Sequence, residues 1–162
     1  MEKGCQMDIK TIMPIKFELV ETAPLFHELL NLRATVGLPS IGVELADVQA
    51  LFWVSIRLSD KTELEHAGAG AAKSNLLATA CVYGNKPGHL MIEDFIVLPE
   101  YQSYGLAKII LERVMAFVDD HASAGTCVSM TAHGEHERLC SEYGFQYAPC
   151  ANLGPNLLKI IA

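Results

Sequence analysis

The chain has 162 residues, with 12 Lys and Arg against 19 Asp and Glu, a formal net charge of −7 and 51% hydrophobic residues. That length points to a single domain, and the apolar fraction excludes a disordered chain. The acidic balance argues against a general nucleic-acid binder, which would carry a basic stripe, and the excess is even, with 7 basic and 10 acidic groups in residues 1–81 and 5 and 9 in residues 82–162.

Taken in chain order, the N-terminus (MEKGCQMDIK) is charged and lacks the apolar stretch of a signal peptide. Lys16–Val20 alternates polar and apolar residues and predicts a short strand. Pro24 marks a helix start, Leu25, Leu29, Leu30, Leu32 and Val36 follow at helical spacing, and Gly37 and Pro39 end it. A second short helix is expected over Val43–Phe52. Trp53–Leu58 and Leu76–Tyr83 predict an antiparallel hairpin around residues 59–75, a charged then Gly- and Ala-rich segment expected to be a mobile surface loop. Its end, Gly70-Ala-Ala-Lys73-Ser74, has Ala at 67 and 72 where a phosphate-binding loop needs Gly. After a turn at Asn85–Gly88, His89–Val97 predicts a central strand with a nearly continuous apolar end. Tyr104–Asp120 has helical periodicity, Cys127–Thr131 reads as a strand, Glu135–Tyr143 as a helix stopped by Gly144, and Leu157–Ile161 as a last strand. The expected fold is one mixed α/β (α+β) domain over residues 1–162, with its core from about residue 16, in the order β-α-α-β-β-β-α-β-α-β.

Five cysteines (Cys5, Cys81, Cys127, Cys140, Cys150) form an odd set with no CxxC, so reduced thiols and a cytoplasmic protein are expected. No apolar run approaches the ~20 residues of a membrane span, and no membrane or nucleic-acid partner is expected. His133, His136 and Cys140 have spacing that invites a metal check, but no tight ligand pair accompanies them and no metal is expected.

The stretch that carries chemistry is residues 92–114, IEDFIVLPEYQSYGLAKIILERV, where an apolar strand runs through a Pro and a Gln-x-x-Gly-x-Ala turn into an amphipathic helix. The first turn of a helix presents unpartnered N–H groups and the positive end of the dipole. Gly105 and Ala107 allow an anion close to that backbone. By itself such a turn is also readable as a plain strand-to-helix junction.

Val97-x-Pro99-x-x-Gln102-x-x-Gly105-x-Ala107 resembles the acetyl-CoA motif V-x-P-x-x-[QR]-x-x-G-x-[GA] of the GNAT superfamily of acyl-CoA-dependent N-acyltransferases. LRATVGLP (32–39) looks like the end of that family's first helix, and VSMTAHGEHERLCSEYGF (128–145) like its fifth strand and following helix. The resemblance implies a mostly antiparallel central sheet with flanking helices and acetyl-CoA as co-substrate. Backbone groups of Phe95, Ile96 and Val97 would pair with the pantetheine arm, and the amides of Gln102, Ser103, Tyr104, Gly105, Leu106, Ala107 and Lys108 would hold the pyrophosphate, Lys108 adding a local charge.

Direct transfer from a thioester to an amine asks for a base and, on the leaving thiolate, an acid. Glu93 and Asp94 are the candidate bases, expected on opposite faces of their strand by the period of two. The sequence Ile92–Val97 is similar to that of spermidine/spermine acetyltransferases, whose corresponding Glu contacts the amine, which favours Glu93. The family's usual acid is a Tyr four residues before the Gly of Gly-Phe. Cys140 stands there, either as a thiol donor or as filler, with Tyr143 nearby on the helix. His133 stands where the family often has an Asn that contacts the coenzyme.

Two functions follow. One is an N-acetyltransferase acting on a primary amine of a small molecule or peptide, with the acidic composition favouring a cationic acceptor. The other is a degenerate CoA-binding or regulatory module. Family members are often dimers, and the apolar Leu157–Ile161 segment suits either a homodimer contact or simply the last strand of the sheet.

Overall fold

The computed structural model describes residues 15–39, 49–59, 74–85, 88–132, 136–148 and 156–160. In chain order the elements are β1 (Phe17–Val20), α1 (Phe26–Thr35), β2 (Phe52–Leu58), β3 (Leu76–Asn85), β4 (His89–Val97), a 3-10 turn (Pro99–Tyr104), α2 (Leu106–His121), β5 (Cys127–Thr131), α3 (His136–Glu142), β6 (Gln146–Ala148) and β7 (Asn156–Ile160). The strands form one seven-stranded sheet in the order β1-β2-β3-β4-β5-β7-β6. Every adjacent pair is antiparallel except β4 and β5, which run parallel. This is the mixed, mostly antiparallel sheet that the sequence implies.

α2 forms because its apolar residues recur at helical spacing, and the resulting stripe (Leu106, Ala107, Ile110, Leu111, Val114, Met115, Val118) is buried. It packs on one sheet face against Val54, Ile56, Ala80, Val82, Leu90, Ile92 and Val97. Each fully buried aliphatic side chain there contributes roughly 1.5–3 kcal/mol. The other face carries a second cluster of Leu32, Leu76 and Ile96 beneath α1. A buried ion pair fixes α1 to the sheet. Arg57 on β2 donates from Nη1 and Nη2 to the two carboxylate oxygens of Glu28 at 2.9 and 2.7 Å. Ser74 adds a hydrogen bond at 2.7 Å, and the Leu25 N–H donates to Glu28 at 3.1 Å, so this carboxylate also caps its own helix.

The structure departs from the sequence reading in three places, and one further expectation falls outside what it describes. The helix expected over Val43–Phe52 lies largely outside the described residues, and its last residue, Phe52, opens β2 instead. Gly105 adopts φ 75°, which ends the 3-10 turn and delays α2 to Leu106 rather than Tyr104. β6 was not expected, since its three residues (Gln146–Ala148) are too few to show a period. The loop over residues 59–75 lies almost wholly outside the described residues. Among the described residues no helix is long and apolar enough to cross a membrane.

Candidate active site

The site begins where two parallel strands part. β4 and β5 are paired from His89↔Cys127 to Ile92↔Met130 and no further. β4 continues to Val97, so from Glu93 onward its β5-facing edge has no ladder partner among the described residues, while its other edge stays paired with β3 through Thr79↔Ile96 and Ala78↔Val97. Phe95 lies along the parted segment, with its ring 5.0 Å from that of His136 at the start of α3. An extended polar chain fits such an edge as an added strand.

A β-bulge sits at the same point. Thr79 opposes Ile96 and Cys81 opposes Glu93, so two β4 residues, Asp94 and Phe95, face the single β3 residue Ala80. Asp94 has φ 50°, the one positive-φ residue other than glycine among the described residues. Asp tolerates this left-handed conformation better than most side chains. The extra residue resets the alternation: Ile92 and Val97, five apart, both join the α2-side core. The expectation that Glu93 and Asp94 point to opposite faces is therefore corrected. Glu93 shares its face with its cross-strand neighbour Cys81, and the Asp94 carboxylate is ion-paired to Arg33 of α1, on that same side.

Both carboxyls are partly buried, and burial is the main force pushing each of them above the ordinary carboxylate range. For Glu93 the negative charge of Asp94 adds to the rise and Arg33 works against it. For Asp94 the charge and hydrogen bond of Arg33 offset burial without cancelling it. A raised carboxylate is a better proton acceptor at neutral pH than an ordinary one, as base catalysis requires. Three polar groups missed by the sequence reading line the same face. They are Cys81 and Tyr83 on β3, whose thiol and phenol burial pushes up, and Arg33. Tyr83 and Cys81 stand two apart on a strand that reads as plain apolar sequence, and Arg33 is 61 residues from Asp94, so no local signal announced either.

The turn following β4 carries the chain into α2. Pro99 opens the 3-10 turn, Gly105 turns left-handed, and α2 starts with no side-chain cap and no acidic residue in its first turn. Gln102, Ser103, Tyr104 and Gly105 are exposed, Leu106 and Ala107 are buried and anchor the helix, and Lys108 is exposed, with its Nζ 3.9 Å from Glu112. Among the described residues a Cβ on Gly105 would meet nothing within 4 Å. Ile96 and Val97 are buried on opposite faces of the sheet, which leaves their backbone rather than their side chains for any partner.

The remaining candidates are placed differently. Cys140 is fully buried in the α2-side core, and burial pushes its thiol up to about 11. A thiol that weak is a poorer acid than the protonated form of an ordinary thiolate, and it has no exposed surface to present to one. The Tyr143 hydroxyl donates to Glu112 on α2 at 3.3 Å. His133 lies outside the described residues. Among the described residues no three His, Cys, Asp or Glu side chains gather as metal ligands would.

The sequence model of the acetyltransferase (GNAT) family matches residues 39–143. No curated protein sequence matches the chain. Solved structures share the fold. A Staphylococcus aureus protein of unknown function is 21% identical, with a TM-score of 0.66 over 85% of this chain and 93% of its own. The ribosomal-protein-S18-alanine N-acetyltransferase of Escherichia coli is 13% identical, with a TM-score of 0.60 over 90% and 93%. N-acetylglutamate synthase of Neisseria gonorrhoeae, solved with coenzyme A and L-arginine, is 12% identical, with a TM-score of 0.56 over 90% of this chain and 33% of its own. With the matched segment spanning both the parted strands and the turn into α2, the chain belongs to the GNAT family of acetyltransferases.

Proposed function

We propose that the protein transfers the acetyl group of acetyl-CoA directly to a primary amine of a small molecule or peptide, with Glu93 as the general base. The observation that carries this reading is the coincidence of three features at one end of β4: a strand edge unpaired among the described residues, a helix start without a side-chain cap, and a raised carboxylate. The residues fit acetyl-CoA. Backbone groups of Phe95–Val97 offer the edge for its pantetheine arm. The amides from Gln102 to Lys108 offer donors for its pyrophosphate, in a cradle that needs no net positive charge. That is how a chain of net charge −7 accommodates a polyanionic co-substrate.

Bound acetyl-CoA supplies an activated acyl group. Glu93 takes a proton from the ammonium of the acceptor, so that the free amine attacks the thioester carbonyl and the thiolate departs. The net negative charge of Glu93, Asp94 and Arg33 taken together also favours a cationic acceptor. Cys140 is assigned to packing, and the leaving thiolate takes its proton from a group other than Cys140. The second reading, a CoA-binding module without chemistry, is favoured by one observation, the buried Cys140 in the position of the family's usual Tyr.

The experiment is amine-dependent release of free CoA from acetyl-CoA, comparing the wild type with Glu93→Gln. Turnover that needs the amine and falls in Glu93→Gln supports the transferase. Tight CoA binding with no turnover on any amine overturns it in favour of the binding module.

A further inference from the structure

Two carboxylates stand side by side at the bulge, and they are not equivalent. The Asp94 carboxylate is ion-paired with Arg33, and the two side chains are only 7% and 14% exposed. Among the described residues the Glu93 carboxylate has no ion pair. The Arg33 guanidinium is held from a second direction, since its Nε donates to the Pro39 carbonyl at 3.1 Å. The backbone beyond it folds back as well, with the Leu38 N–H donating to the Arg33 carbonyl at 2.9 Å. The cation is thus fixed at the C-terminal end of α1, where a helix favours positive charge.

We propose that Arg33 is a positioning residue for the base: by neutralising Asp94 and holding it toward α1, it leaves Glu93 as the single uncompensated carboxylate at the end of the strand opening. The inference rests on the proposed transfer with Glu93 as base and deepens it. Its geometric root is the bulge. With regular alternation the Asp94 carboxylate would enter the apolar α2-side core, where an unpaired charge is strongly destabilising. The positive φ at Asp94 instead delivers the carboxylate to Arg33, beside Glu93.

Among the described residues the other titratable groups beside the pair are Cys81 and Tyr83 of β3, both held neutral at physiological pH by burial, while Glu28 and Arg57 on the same sheet face are paired with each other. Among the described residues, the charges that act on Glu93 and Asp94 are then each other's and that of Arg33. Without the cation, two adjacent half-buried carboxylates share one proton, as like charges at close range do. The base would then spend neutral pH partly protonated.

The test is a titration of the Glu93 and Asp94 side-chain carboxyl ¹³C signals in the full chain, with the pH dependence of CoA release measured beside it. In Arg33→Met the Glu93 midpoint is expected to rise by about one pH unit, with the acid limb of turnover moving in parallel. Arg33→Lys restores most of the shift, and Arg33→Met combined with Asp94→Asn brings the midpoint back to the wild-type value or below. An unmoved Glu93 midpoint in Arg33→Met overturns the proposal. Should that variant fail to fold, Asp94→Asn alone must lower the Glu93 midpoint, and failure to do so overturns it equally. Midpoints that shift as stated in a protein that acetylates no amine would contradict the transferase reading while leaving the charge arrangement standing.

Discussion

Cys81 on β3 lies directly opposite Glu93 on β4, and its thiol donates to the Glu93 backbone carbonyl at 3.5 Å. The thiol is therefore part of the wall behind the candidate base rather than a reactive group. Burial pushes it up, and the nearby charges of Asp94 and Glu93 push it further. Reactivity follows the thiolate fraction. Native-state alkylation at pH 8, read by peptide mass spectrometry, is expected to spare Cys81 and the buried Cys140, and both should label fully in denaturant. Labelling of Cys81 in the native protein at the rate of a free thiol would contradict this placement.

Glu28 gives a pH-dependent stability. Its pairing with Arg57, with help from Ser74 and the Leu25 N–H, holds its carboxyl down at about 2 against an ordinary 4.5. A carboxylate depressed on folding stabilises above its unfolded value, and that stability drains away as pH falls from 4.5 toward 2. Glu28→Gln is expected to cost roughly 2 kcal/mol at pH 7, mostly by leaving Arg57 unpaired. The gap from wild type should shrink below pH 4.5 and close only as pH falls through about 2. Denaturant melts at several pH values check this, and a constant gap would contradict it.

Gly84 is a position where only glycine fits. Its φ is 134°, and a Cβ there would lie 2.1 Å from the His89 carbonyl oxygen across the β3–β4 pair. That contact is with backbone and has no flexible side chain to yield. Gly84→Ala should destabilise by roughly 2–4 kcal/mol, read as a lowered Tm. Gly105→Ala should cost only about 1 kcal/mol, since its φ of 75° is unfavourable but a Cβ there meets nothing within 4 Å among the described residues.

Cys140→Ala separates packing from chemistry. Removing a fully buried side chain from the α2-side core should lower stability by about 1–2 kcal/mol and leave kcat within twofold of wild type. A hundredfold loss of kcat in a folded Cys140→Ala protein would restore the thiol as the acid.

Much of this architecture was legible in the residues. β4 and β5 fall at the bounds expected, His89–Val97 and Cys127–Thr131, because buried strands read as apolar runs. The turn into α2 was legible because Pro, Gly and small residues punctuate the backbone at fixed offsets. The orientation of the carboxylates was not. A bulge is a one-residue mismatch between two strands, and neither strand alone records it. Arg33 escaped for a similar reason: its partner is set by where α1 lies over the sheet, a tertiary fact with no local period. Buried Glu28 looked like one more acid on a helix face until Arg57 arrived from β2.

The pH dependence of turnover follows from the raised Glu93 carboxyl. The base works only when ionised, so kcat/KM should be lost as pH falls through a midpoint above 4.5, the ordinary value for Glu. Because Asp94 interacts with Glu93, the limb reports the pair and not a single group. A limb at or below the ordinary value would contradict the assigned burial of the base.

The account rests most directly on CoA release from acetyl-CoA across a panel of primary amines, measured for the wild type and Glu93→Gln with acetyl-CoA binding followed in parallel. It predicts amine-dependent turnover in the wild type and a loss of about 100-fold in kcat for Glu93→Gln, with acetyl-CoA affinity unchanged. Undiminished turnover in Glu93→Gln, or firm acetyl-CoA binding without turnover on any amine, would contradict it.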